Sequence, residues 1–105
     1  MQITFASEHL CAIACSAFEL DRLYGPQFGA KIRQRLAELD AVDSVIKLSQ
    51  LPYVNIHFAD GIYSLSVSTT SLIRFRIVET NSATSFSSSQ EQAIVVLSIE
   101  GTKND

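Results

Sequence analysis

The sequence predicts one α+β domain, with an N-terminal strand and a helical hairpin packed on one face of an antiparallel four-stranded sheet. Three observations predict it. The chain has 105 residues, and domains typically take about 100–150, so residues 1–105 read as a single unit. Apolar residues recur at helical spacing before Pro52 and alternate with polar ones after it, a change of period from about 3.6 to 2. Hydrophobic residues make up 47% of the chain and charged residues 18%, so there is ample apolar surface to offset chain entropy and disorder is excluded.

Gln2 to Phe5 is short and partly β-branched, and reads as an opening strand. Ser7 is a good N-cap and Glu8 suits the first turn of a helix. From there Leu10, Ile13, Ala14, Ala17, Phe18 and Leu20 or Tyr24 keep helical spacing, which predicts one helix up to Tyr24. Gly25 can end that helix and Pro26 can open the next. In the second helix Phe28, Ile32, Leu36 and Leu39 form one apolar stripe. So short a break predicts an antiparallel hairpin. Ser44 to Gln50 reads as a third, short helix ended by Pro52.

Beyond Pro52 the strands are expected at Tyr53–Phe58, Ile62–Ser68, Ile73–Val78 and Gln92–Glu100. Asp60-Gly61 marks a hairpin turn. Thr69 to Ser71 make the next turn, and the serine-rich Asn81–Gln92 reads as a loop. The continuous apolar run of the last strand is that of a strand covered on both faces. The helices would cover one face of the sheet. The other would carry Tyr53, Asn55, His57, Ser64, Ser66, Arg74 and Arg76.

Eight basic against eleven acidic side chains give a net charge of −3, which argues against a protein that coats nucleic acid along a general basic surface. The longest apolar stretch, Leu10–Phe18, is about half of the ~20 residues a membrane span needs. Met1–His9 contains no Lys or Arg and does contain Glu8, the wrong flank for a signal peptide, so the chain reads as cytoplasmic. The two cysteines, Cys11 and Cys15, are too few for a disulfide scaffold or a closed zinc site and read as buried, reduced thiols. No metal and no cofactor is called for.

A sheet face with one histidine, two arginines and hydroxyls suits RNA cleavage by the neighbouring 2′-hydroxyl. That reaction needs a base, an acid, and a cation against the charge that builds on phosphorus. His57 can trade a proton near neutrality. Arg74 or Arg76 can grip phosphate with two N–H groups. Glu100 adds a carboxylate if its side chain shares that face. The bland reading is a solvated sheet face with ordinary surface arginines. By the same reading Lys31, Arg33 and Arg35 are a solvated helix face, with Arg35 paired to Glu38, and replacing all three is expected to leave folding intact.

Several short motifs follow one another in a familiar order: Met1-Gln2-Ile3-Thr4-Phe5-Ala6, Tyr24-Gly25, Leu51-Pro52 with His57 beyond, Leu65-Ser66-Val67, Ile73-Arg74 and Ile99-Glu100. The strongest is Lys31-Ile32-Arg33-Gln34-Arg35-Leu36-Ala37-Glu38-Leu39-Asp40-Ala41, a basic helix of the form K-x-R-x-R-L-x-x-L-x-A. This order resembles the HigB-type killer proteins of type II toxin–antitoxin modules, within the RelE-like superfamily. The resemblance implies a RelE-like fold and a ribosome-dependent mRNA endoribonuclease that stops translation. It implies a helix-turn-helix antitoxin of the HigA type as partner, with DNA contacted only through that antitoxin.

Carried over by position, His57 would be catalytic and Arg74 the phosphate-binding arginine. Lys31, Arg33, Arg35, Arg76 and Lys103 would contact RNA or the partner. The chain departs from the family pattern after Glu100, where aspartate, tyrosine and histidine are expected and Gly101, Thr102 and Lys103 stand. It also lacks the basic stretch expected after His57. Those departures imply a weakened ribonuclease or, as the alternative, a catalytically degenerate relative that only binds its partner.

Overall fold

The computed structural model describes residues 1–78 and 92–101. The strand β1 (Gln2–Phe5) is followed by α1 (Glu8–Ala14), α2 (Ala17–Tyr24), α3 (Pro26–Ala41) and α4 (Val45–Ser49). Then come β2 (Ile56–Ala59), β3 (Ile62–Ser66), β4 (Ser71–Val78) and β5 (Ala93–Gly101). The α+β class and the order of helices before strands are as expected. Most of the loop expected over Asn81–Gln92, and Lys103, lie outside the described residues.

The first expected helix is in fact two. Ser16 leaves helical geometry and its hydroxyl accepts a hydrogen bond from the Glu19 amide at 3.2 Å, opening α2. Ser7 does the same for α1, accepting from the Leu10 amide. Gly25, at φ 88°, ends α2 and Pro26 starts α3. That turn folds α3 back along α2, and the close approach falls at Gly29, where a Cβ would sit 3.1 Å from the Asp21 backbone nitrogen. The buried stripe of α3 is therefore Gly29, Ile32 and Leu39, with Leu36 and Phe28 half-buried.

The sheet is mixed and five-stranded, in the order β1-β5-β4-β3-β2, where an antiparallel four-stranded sheet was expected. β1 is the added strand and runs parallel to β5, Ile3 opposite Ile94 and Phe5 opposite Val96. The remaining pairs are antiparallel. The physical reason is that β4 satisfies only one edge of β5. The other edge takes β1, with the Gln2 amide donating to the Gln92 carbonyl at 3.0 Å and Ala6 to Val96 at 2.9 Å.

The β2–β3 hairpin turns at Asp60-Gly61, with φ of 54° and 79°, the left-handed pair that a two-residue hairpin requires. β2 is shorter than expected, because Tyr53 turns away from the sheet toward α3. The expectation for β5 also needs correction. Its two faces are unequal: Ile94, Val96 and Ile99 are buried, while Val95 and Leu97 are half-exposed. A shift of register between Arg74 and Phe75 leaves Leu97 unpaired between Val96 and Ser98. Such a bulge reverses the alternation, so that Val96 and Ile99 both reach the core.

That core is one cluster. Leu20, Ile32, Leu39, Val45 and Leu48 from the helices meet Leu65, Ile73, Phe75, Ile94 and Val96 from the sheet. Gln92 ties α4 to the start of β5, its side-chain carbonyl accepting from the Val45 amide at 2.9 Å. No helix among the described residues is long and apolar enough to cross a membrane. The cysteines are not buried as expected. Helix α1 has no buried residue, Cys11 is half-exposed and Cys15 exposed, because α1 lies beside the edge strand β1 and not over the centre of the sheet.

Candidate functional site

One register row crosses the sheet. His57 on β2 pairs with Ser64 on β3, Ser64 with Arg74 on β4, and Arg74 with Ser98 on β5. Paired residues share a face. Their neighbours Leu65, Ile73 and Phe75 fill the core, so alternation turns the row outward. Hydrogen-bonded strands lie about 4.8 Å apart, which sets the backbones of His57 and Arg74, two strands apart, at roughly 10 Å. The short Ser64 lies between two longer side chains. Arg76 is exposed on the same face, paired with Val95. The sequence-predicted pair His57 and Arg74 is thus brought onto one open surface.

Glu100 shares it. Its Oε2 lies 2.8 Å from Arg74 Nε and accepts a hydrogen bond from Ser98 Oγ at 3.0 Å. The Arg74 Nε–H is shut off from solvent and makes no aligned hydrogen bond, so the contact with Glu100 is electrostatic. Both side chains are nearly half exposed, and a screened pair of this kind contributes at most about 1 kcal/mol. A phosphate oxygen could therefore take Glu100's place on the guanidinium at small cost.

The three basic residues of α3 fare differently. Lys31 is exposed. Arg33 pairs with Asp21 of α2 at 3.2 Å on the surface. Arg35 is a clamp. Its Nη1 is 2.9 Å from Glu38 Oε1, its Nε donates to the Ser66 carbonyl at 3.4 Å, and its guanidinium carbon lies 5.2 Å from the centre of the Tyr53 ring. Its side chain is only 14% exposed. The Tyr53 hydroxyl is hydrogen-bonded to Glu38, which holds its ionisation above the usual tyrosine range. Pairing of Arg35 with Glu38 was legible from their spacing, but the sequence held no signal for Tyr53.

This arrangement corrects the expectation that all three basic residues are dispensable for folding. Arg35→Ala is expected to destabilise the fold by about 2 kcal/mol, the scale of hydrogen bonds to a charged group. Lys31→Ala and Arg33→Ala should each stay within about 0.5–1 kcal/mol. Urea unfolding midpoints of the three single variants check it, and equal midpoints for all three would refute the clamp.

Beside the clamp, Arg35, Tyr53, Asn55, Ser66, Val67 and Thr69 line an open cleft of about 320 Å³ whose wall is part polar and part apolar. It adjoins the register row through Asn55, whose carbonyl accepts from the Ser66 amide at 3.0 Å. Tyr53 is 52% exposed, so part of its ring is open to a ligand.

Three residues beyond Ser98 on β5, Gly101 pairs with Ser71 and stands where the resemblance leads one to expect an acidic residue. A Cβ there would lie 2.5 Å from Ser71 Cβ, and Ser71 is buried with its hydroxyl 2.7 Å from that of Ser68. Gly101→Asp is therefore expected to cost about 1–3 kcal/mol through crowding, read as a lowered melting temperature. An unchanged melting temperature would show that the end of β5 gives way freely.

Comparison with protein-family models, with curated proteins and with solved structures finds no match to this chain. Among the described residues no group of three or more His, Cys, Asp or Glu side chains is placed to hold a metal ion. The chemistry of the open face rests on an imidazole, guanidinium groups, a carboxylate and hydroxyls.

Proposed function

We propose that the protein is a RelE-like toxin of the HigB type that binds and cleaves mRNA on its open sheet face, with an activity weakened by the groups missing after Glu100. The observation that carries this reading is the register row that aligns His57, Ser64, Arg74 and Ser98. A phosphodiester laid along β3 would have Arg74 on one side and His57 on the other. Arg74 would bind the phosphate and offset the charge that develops on phosphorus. His57 would take the 2′-hydroxyl proton or give one to the leaving 5′-oxygen. Arg76 adds positive charge to the path of the strand. Tyr53 and Asn55 offer a flat ring and an amide for a neighbouring base.

In this reading Lys31 and Arg33 remain available to ribosomal RNA or to an antitoxin, and Arg35 acts through the fold. The test is induced expression of the wild-type chain, alone and with a HigA-type helix-turn-helix partner, while translation and mRNA 5′ ends are followed. Growth arrest with new ribosome-dependent mRNA ends, relieved by the partner, is the expected result. Arrest without new ends would sink the ribonuclease reading.

A second reading is a non-catalytic relative that only binds its partner. The Arg74–Glu100 pair favours it, since the guanidinium already has an anion beside it. Stable complex formation with the helix-turn-helix protein, without arrest or cleavage, would select this reading.

A further inference from the structure

Cys11 and Cys15 are the only cysteines of the chain. Cys15 follows the last residue of α1 and its amide donates to the Cys11 carbonyl at 3.0 Å, one turn on, which brings the two sulfurs to 3.8 Å from each other. Both thiols open into a cleft of about 560 Å³ whose walls include Ile3 and Phe5 of the edge strand, Ala6 just beyond it, and Glu8 at the start of α1. The site is remote from the His57–Arg74 row in the fold, since it lies at the β1 end of the sheet.

We propose that Cys11 and Cys15 bind one soft, thiophilic metal ion, monovalent copper being the ion that suits them. With metal–sulfur bonds of about 2.3 Å, sulfurs 3.8 Å apart would bracket the ion at an S–metal–S angle of roughly 110°. That is a bent site with one side left open to a small external thiol. Zinc in a structural site takes four ligands, and among the described residues there is no third His, Cys, Asp or Glu placed to complete such a set. Soft thiolate ligands select monovalent copper. Ile3 and Phe5 give the cleft one apolar wall. Glu8, a hard oxygen donor, adds negative charge at the mouth, which draws in a cation.

The step balances without any oxidant. Two thiols lose two protons, and the metal accepts one electron pair from each sulfur while keeping its oxidation state. Affinity therefore rises with pH as proton release becomes easier.

The experiment titrates the reduced full chain with monovalent copper under nitrogen, against a coloured copper chelator. One copper per chain is expected, with loss of both thiols to a thiol reagent. Cys11→Ser and Cys15→Ser should each weaken binding by roughly 10²-fold or more, because the second sulfur is an intramolecular ligand. Neither thiol belongs to the core, so melting curves of both variants should match the wild type. Melting temperature should rise with copper in the wild type alone. One copper shared by two chains, equal binding by either serine variant, zinc bound as tightly as copper, or complete loss of copper to the chelator would each overturn the proposal.

Discussion

Replacing Arg74 by alanine is expected to slow cleavage of ribosome-bound mRNA by about 10²–10³, the loss that follows removal of one preorganised donor to a developing negative charge. His57→Ala should cost about 10²–10⁴ through loss of one proton transfer. Both side chains lie on the sheet face opposite the helices, and neither belongs to the hydrophobic cluster, so both variants should fold. Arg74→Lys should recover little, since an ammonium cannot grip phosphate with two N–H groups. The measurement is the rate of appearance of mRNA fragments on programmed ribosomes, with circular dichroism to check folding. Equal rates for wild type and both alanine variants would place the chemistry elsewhere. A folded wild type that never cleaves would leave the partner-binding reading standing.

The open face was legible because β-strand alternation is a strict period. Ser64 and Ser66 alternate with Leu65, and Arg74 and Arg76 with Ile73 and Phe75, so helices laid over the apolar set turn Ser64 and Arg74 away from them. That His57, Ser64 and Arg74 fall on one row needed more than alternation. It needed the register, and Asp60-Gly61 supplied part of it, since a two-residue turn fixes Ala59 opposite Ile62 and hence His57 opposite Ser64. Thr69 to Ser71 mark the turn between β3 and β4 but, unlike a two-residue Asp-Gly turn, do not fix the register across it.

Three features escaped for distinct physical reasons. The break between α1 and α2 was written in Ser16-Ala17-Phe18-Glu19, a capping sequence of the form S-x-x-E, but the apolar spacing on either side of it is continuous. The pairing of β1 with β5 joins opposite ends of the chain, and parallel pairing carries no turn signal at all. The role of Arg35 was invisible because cation and aromatic ring come from α3 and from the segment before β2. Helical spacing describes neighbours along one helix and says nothing of what faces it.

Phe75→Ala is expected to destabilise the protein by about 3–5 kcal/mol, a large share of the roughly 5–15 kcal/mol that holds a domain together. Phe75 is fully buried at the centre of β4, and its ring stacks on Tyr63 with centroids 5.4 Å apart. Tyr63 in turn meets Phe58 at 4.5 Å, so three rings run from the core to the edge of the sheet. Phe58 is 55% exposed, and Phe58→Ala should cost less than about 1.5 kcal/mol, because little burial is lost beyond one ring pair. The gradient along one stack separates burial from ring–ring contact. Phe75 also follows the register shift at Arg74, so the cavity left by alanine would open beside the row that carries the proposed chemistry. Phe75→Leu keeps most of the volume and should recover more than half of the loss. Urea unfolding of the three variants measures the differences. Equal destabilisation by Phe75→Ala and Phe58→Ala would mean that the stack, and not the depth of burial, holds this end of the sheet.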